Sequence, residues 1–152
     1  MHTLFSSSVS GISGQLVEVE VDVVTGMWQF MIVWLWDTAI QESKERVRSA
    51  IKNSGYKFPG WARITVNLAP ADVRKKWPLY DLPIALWILA KDEMISDEIL
   101  ASSLFLGELA LDGTLRGVQG VLPATILAKE KGMKRIFIPE ANMQEATIIP
   151  GI

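Results

Sequence analysis

Cysteine is absent from this chain of 152 residues, and histidine occurs once, at His2. The first absence excludes disulfides, thiolate metal sites and a cysteine nucleophile, and the second excludes a histidine-based triad or a histidine-rich metal site. No excess of one charge is present either. Lys and Arg number 15 against 17 Asp and Glu, a net charge of −2, so any contact with nucleic acid needs a local patch. Long apolar runs are missing as well. The longest, Leu82 to Ala90, is too short to span a bilayer. The N-terminus lacks the basic stretch and apolar core of a secretory signal. The expected location is the cytoplasm, with no membrane partner.

What is present reads as one globular domain. Apolar residues make up 49% and charged residues 21%, close to soluble averages, and the length allows a real core. The chain is organised around Arg63 to Ile88. There Ile64, Thr65 and Val66 predict a strand, Pro70 breaks it, a basic loop follows, and Asp81-Leu82-Pro83 opens an apolar helix with Asp81 as its cap.

Before that stretch, residues 3–10 predict an edge strand. Leu16 to Val23 alternate with Glu18, Glu20 and Asp22 as a half-buried strand does, and Phe30 to Leu35 predict another. Thr38 and Gln41 sit at capping-box spacing for a helix whose inner face carries Ala39, Ile40, Val47, Ala50 and Ile51. Glu42 and Arg46 are spaced to pair along it. After it, Ser96-Asp97 begin a short helix, and Leu104–Leu109 with Leu115–Gly117 predict two strands joined by Asp112-Gly113. A helix from about Leu122 to Lys131 stops at Gly132, Arg135 to Ile138 predict a last strand, and Pro139 opens a final short helix. The class is α+β, a mixed sheet with helices mainly on one face.

Two residue groups invite functional readings. Alternating carboxylates on the second strand resemble a metal site, but alternation alone produces them as a solvated face. Lys44, Arg46, Arg48 and Lys52 on the first helix, with Lys75 and Lys76 in the basic loop, are candidates for contacting nucleic acid or an acidic partner. The plainer alternative for the helix is a solvated face with intrahelical ion pairs.

The segments Glu18–Asp22, Gln41–Ile51, Ile64–Asp72, Asp81–Leu86 and Phe105–Gly113 closely resemble the N-terminal domain of the ComM/YifB family of magnesium-chelatase-like AAA+ ATPases. The resemblance covers nearly the whole chain. It implies a fold like ribosomal protein S5 domain 2, shared with the proteolytic domain of Lon and the C-terminal domain of RadA. It further implies that residues 1–152 form a single Lon-like domain, the N-terminal fragment of a longer chain whose ATPase domain is missing here. That ATPase would bring ATP and magnesium, hexameric self-assembly, and a role in DNA recombination during natural transformation. No Gly-x-x-x-x-Gly-Lys-Ser/Thr loop occurs in these residues, so no cofactor, catalytic or metal site is expected in the segment itself.

Lon-type peptidases use a serine activated by a lysine, which must meet in one partly desolvated place. Carried onto this chain, the serine motif falls on Trp77-Pro78-Leu79-Tyr80-Asp81 and the lysine motif on Gln119-Gly120-Val121-Leu122. Leu79 and Leu122 therefore stand where the dyad would be, and leucine neither attacks a carbonyl nor accepts a proton. Ser43, Lys75 and Lys76 are poor substitutes, since solvated lysines stay charged. The expected function is a non-catalytic domain serving a AAA+ motor through assembly and DNA handling. The alternative is a degenerate peptidase domain that binds polypeptide without cleaving it. A chelatase component rests on the family label alone.

The six tryptophans, at 28, 34, 36, 61, 77 and 87, fall where related sequences usually carry glycine or would accept it. Turn and close-approach sites favour glycine for its lack of a Cβ, the opposite of what tryptophan offers. An aromatic stacking surface for single-stranded nucleic acid or ordinary core tryptophan are the other readings. The pattern predicts a gene that uses UGA for glycine, translated as though UGA meant tryptophan. Sequencing the codons checks this: UGA is expected at all six positions, and UGG at several of them would end the idea.

Overall fold

The strand-forming alternation builds one face of a sheet. The computed structural model describes residues 3–33, 38–72, 75–92 and 95–152. Strands β1 (Leu4–Ser10) and β2 (Ser13–Thr25) form a hairpin, and β3 (Gln29–Ile32) and β4 (Ala62–Ala69) extend it. With β5 (Ser103–Phe105) and β8 (Arg135–Phe137) they make a six-stranded mixed sheet in the order β3-β4-β2-β1-β5-β8. Residues 3–10 are thus not an edge strand. β1 is interior because β5 adds in parallel on its other side, pairing Phe5 with Leu104. Such a pairing joins residues far apart in the chain and leaves no local signature.

Register places Val19 beside Leu68 and Val21 beside Val66, while Phe30 and Ile32 lie beside Ile64 and Val66. All of these are buried, which makes this face of the sheet the floor of the core. Against it pack helices α1 (Thr38–Asn53) and α2 (Asp81–Ala90). Helix α1 buries Ile40, Ser43, Val47, Ala50 and Ile51, close to the face expected. Leu35 and Asp37, expected at the preceding strand end and helix start, lie outside the described residues. Glu18 and Asp22 point to solvent, and Glu20 accepts a hydrogen bond from Asn67 Nδ2 at 2.7 Å, as befits a solvated face.

Helix α4 (Val121–Glu130) lies against the opposite face of the sheet rather than joining α1 and α2. Gly14 makes this possible. A Cβ there would stand 2.8 Å from the Pro123 carbonyl oxygen and 3.2 Å from Leu127 Cβ. The helix ends as expected, with Gly132 in the left-handed region at φ 70°. The short helix α3 (Asp97–Ala101) is capped by Ser96, whose Oγ accepts from the Ile99 N–H.

The expected strand Leu104–Leu109 divides in two. Its first part is β5 in the main sheet, and its second is β6 (Glu108–Leu109), which pairs with β7 (Leu115–Arg116) in a separate hairpin turned at Asp112-Gly113. Leu106 and Gly107 make the step between them, with backbone bonds to Phe137 and Leu79. After β8, Pro139 leads into a 3-10 turn over Glu140–Asn142 and helix α5 (Met143–Ala146).

The tryptophans divide by environment. Trp61 is 71% exposed and Trp28 is also exposed, whereas Trp77 and Trp87 are buried. Trp77 opens a 3-10 helix over Trp77–Tyr80 and meets Tyr80 edge-on at 6.3 Å. The turn predicted for Trp77 is therefore a helical backbone that accepts a side chain, while Trp34 and Trp36 lie outside the described residues.

Replacing Gly14 by Ala should destabilise the chain by about 1–3 kcal/mol, because the obstructing atom is a backbone oxygen that cannot step aside. The opposing gain from a stiffer unfolded chain is smaller, roughly 0.4–1 kcal/mol. Urea unfolding of the variant measures the difference, and an unchanged midpoint would show that α4 slides freely over β2.

Candidate functional site

The two positions where a peptidase dyad would sit do meet. Leu79, from the 3-10 helix that precedes α2, and Leu122, from the first turn of α4, line one cavity of about 500 Å³. The end of β1 and its turn supply Ser8, Val9, Gly11 and Ile12, and Lys76 and Gln119 stand on its polar side. Gly120 admits the close approach: at φ 90°, it would place a Cβ 2.5 Å from Val9 Cγ2. The two dyad positions themselves supply hydrocarbon to its wall, while Ser8 and Lys76 supply a hydroxyl and an amine elsewhere in the lining. Ser43 offers no replacement, because it is fully buried and donates its hydroxyl to Asp81.

Asp81 itself corrects the expectation of a helix cap. The residue before α2 is Tyr80, with no side-chain cap, and Asp81 is the first helical residue, its side chain fully buried. Its carboxylate accepts from Ser43 Oγ, from Arg46 Nε at 2.6 Å and Nη2 at 3.2 Å, and from the Leu109 N–H at 3.2 Å. Arg46 consequently leaves the pairing expected with Glu42 and turns toward the interior. Burial pushes the Asp81 carboxyl above its ordinary range, and these donors pull it part of the way back. Arg46 is held charged by the same contact.

The remaining candidate cations fall into two groups. Lys44, Arg48 and Lys52 recur every fourth residue of α1 and share one stripe, from which Arg46 is excluded by helical geometry. Lys44 Nζ lies 6.0 Å from the Phe30 ring centroid and the Arg48 guanidinium 5.5 Å from that of Trp28. None of the three is ion-paired among the described residues, so the intrahelical bridges that spacing allowed are not made. Lys75 and Lys76 stand apart, donating to the Pro70 carbonyl at 2.7 Å and to Gln119 Oε1 at 3.3 Å. Among the described residues no cluster of His, Cys, Asp or Glu could hold a metal ion, and no helix is long and apolar enough to cross a membrane.

A family model described as subunit ChlI of Mg-chelatase matches residues 19–142. The chain belongs to this family. Among curated relatives, competence protein ComM of Haemophilus influenzae is 42% identical over 146 residues, 96% of this chain and 28% of ComM. The uncharacterized protein YifB of Escherichia coli is 41% identical over 141 residues, covering 93% of this chain and 28% of its own length. An uncharacterized protein of Mycobacterium tuberculosis is 41% identical over 148 residues, 97% of this chain and 29% of that protein. The chain therefore spans less than a third of these relatives and matches the N-terminal domain of the ComM/YifB type.

The ChlI match begins at Val19, so Ser8, Val9, Gly11 and Ile12, which line the cavity at the tip of the β1–β2 hairpin, lie outside it. Sequence reasoning had no signal for Ser8, whose neighbours Ser6 and Ser7 look equally polar and equally exposed. The bond from Ser43 to Asp81 and the inward turn of Arg46 have no local signal either, since both depend on a carboxylate 38 and 35 residues away.

Replacing Arg46 by Met should leave Asp81 with only Ser43 and the Leu109 N–H, and its carboxyl should rise further. The folded state then keeps a proton that the unfolded chain releases, so stability falls as pH climbs above the ordinary aspartate range. Relative to the parent, the loss should grow toward about 3 kcal/mol at neutral pH. Urea midpoints of both proteins at about pH 4 and about pH 7 test the sign. A difference identical at both would mean that the pair is not linked to Asp81 ionisation.

Proposed function

We propose that this chain is a non-catalytic, Lon-like domain with the fold of ribosomal protein S5 domain 2, and that it serves a Mg-chelatase-like AAA+ ATPase in assembly and DNA handling. The observation that carries DNA handling is the stripe of Lys44, Arg48 and Lys52 along α1, free of carboxylate partners among the described residues. A near-neutral chain attracts phosphate only where cations gather without counter-charges, and this stripe meets that condition. The name of ComM, a competence protein, accords with DNA as the partner. Hexameric assembly, ATP and magnesium belong to the remainder of such a protein, which these residues do not include. The non-catalytic reading is supported by Leu79 and Leu122 lining one cavity in place of a nucleophile and base.

A second reading, binding of polypeptide without cleavage, is favoured by that same cavity, whose apolar walls suit side chains better than phosphates.

Charge reversal separates the stripe from the loop. Lys44→Glu with Lys52→Glu should weaken binding of single-stranded and branched DNA at least tenfold and lower the salt slope by about 0.7–0.9 per lost phosphate contact. Lys75→Glu with Lys76→Glu should do less, because those amines stand apart from the stripe. Electrophoretic mobility shifts across a salt series measure both. Unchanged affinity in the α1 variant would overturn the DNA reading.

A further inference from the structure

The formal charge among the described residues of the cavity at Leu79 and Leu122 is of one sign. Among its described lining residues Lys76 carries the only charge, and no carboxylate is present. Its ammonium donates to Gln119 Oε1 at 3.3 Å, a neutral partner that leaves further N–H donors free. Ser8 is 2% exposed as a residue and lines the cavity, where its hydroxyl can donate to an acceptor. Leu79, Leu122 and Ile126 line the same cavity. An occupant must therefore bring an anion and a bulky apolar group together.

We propose that the cavity holds the C-terminal residue of a polypeptide. Its apolar side chain lies against Leu79, Leu122 and Ile126, and its free α-carboxylate meets Lys76 Nζ and Ser8 Oγ. A volume of about 500 Å³ accommodates a large side chain together with the terminal carboxylate. An internal acidic residue fits less well. In an extended peptide neighbouring side chains point to opposite faces, so a carboxylate and the apolar group beside it cannot enter one cavity together. A terminal residue presents both from a single Cα. The inference rests on the polypeptide reading and uses none of the α1 stripe.

Fluorescence polarisation with the 152-residue chain tests it, using a fluorescein-labelled heptapeptide that ends in leucine with a free carboxylate. The same peptide as a C-terminal amide should bind about tenfold more weakly or worse, the worth of a charge-assisted hydrogen bond. Lys76→Gln, at an exposed position, should bring acid and amide to near-equal affinity. Ile126→Glu, at a side chain 39% exposed and so tolerant of change, should abolish binding of both while circular dichroism stays unchanged. Equal binding of acid and amide by the parent would overturn the terminal-carboxylate assignment and leave polypeptide binding standing. No binding of either peptide by the folded chain would overturn both. Affinity unaffected by Ile126→Glu would place the peptide elsewhere and overturn the assignment of this cavity.

Discussion

A single buried carboxylate ties together the elements on which the rest of this domain depends. Asp81 begins α2, receives the hydroxyl of Ser43 and the guanidinium of Arg46 from α1, and takes the backbone N–H of Leu109 from β6. Those groups come from three separate stretches of chain, and none could be buried there alone at acceptable cost. An ion pair of this kind adds little net stability over a well-packed apolar contact, because desolvation offsets much of the attraction. Its effect is on arrangement. It holds α1 in one rotation about its axis, with Lys44, Arg48 and Lys52 away from the interior, and it holds the 3-10 turn bearing Leu79 directly before the anchored residue.

From that anchor two surfaces of different chemistry follow. The stripe on α1 is cationic and lies beside Phe30 and Trp28. The cavity between the β1–β2 turn and α4 is apolar, with Lys76 its only described charge. Phosphate and polypeptide therefore have no reason to compete for one site. Leucine at positions 79 and 122 gives that cavity hydrocarbon where the resemblance puts a peptidase dyad.

The described tryptophans sit in unlike environments. Trp61, exposed beside Gly60, gains little from folding, whereas Trp87 on α2 is buried among core residues. A glycine at position 87 would forgo that burial and carry glycine's cost within a helix. At 61 the same exchange removes an exposed ring. Six such replacements would thus act in opposite directions, and their sum depends on how far the core around positions 77 and 87 closes in.

Much was legible in the amino-acid order because it is written in periods and local chemistry. Alternation along β2, the β-branched run of β4, the inner face of α1, the Ser96 cap, the Asp112-Gly113 turn and the Gly132 stop each depend on neighbours within a few residues. The resemblance also placed Leu79 and Leu122 at the positions of a lost dyad, before any geometry was known. What needed the tertiary structure was every feature built from distant partners. The interior place of β1 comes from β5, about a hundred residues later. The seat of α4 on the opposite face comes from the bare backbone of Gly14, and the roles of Asp81 and Arg46 come from each other. A carboxylate at a helix start reads locally as a cap, since a nearby N–H is the cheapest partner in an isolated segment. Only when folding removes water and brings in a guanidinium does a stronger partner decide where it goes.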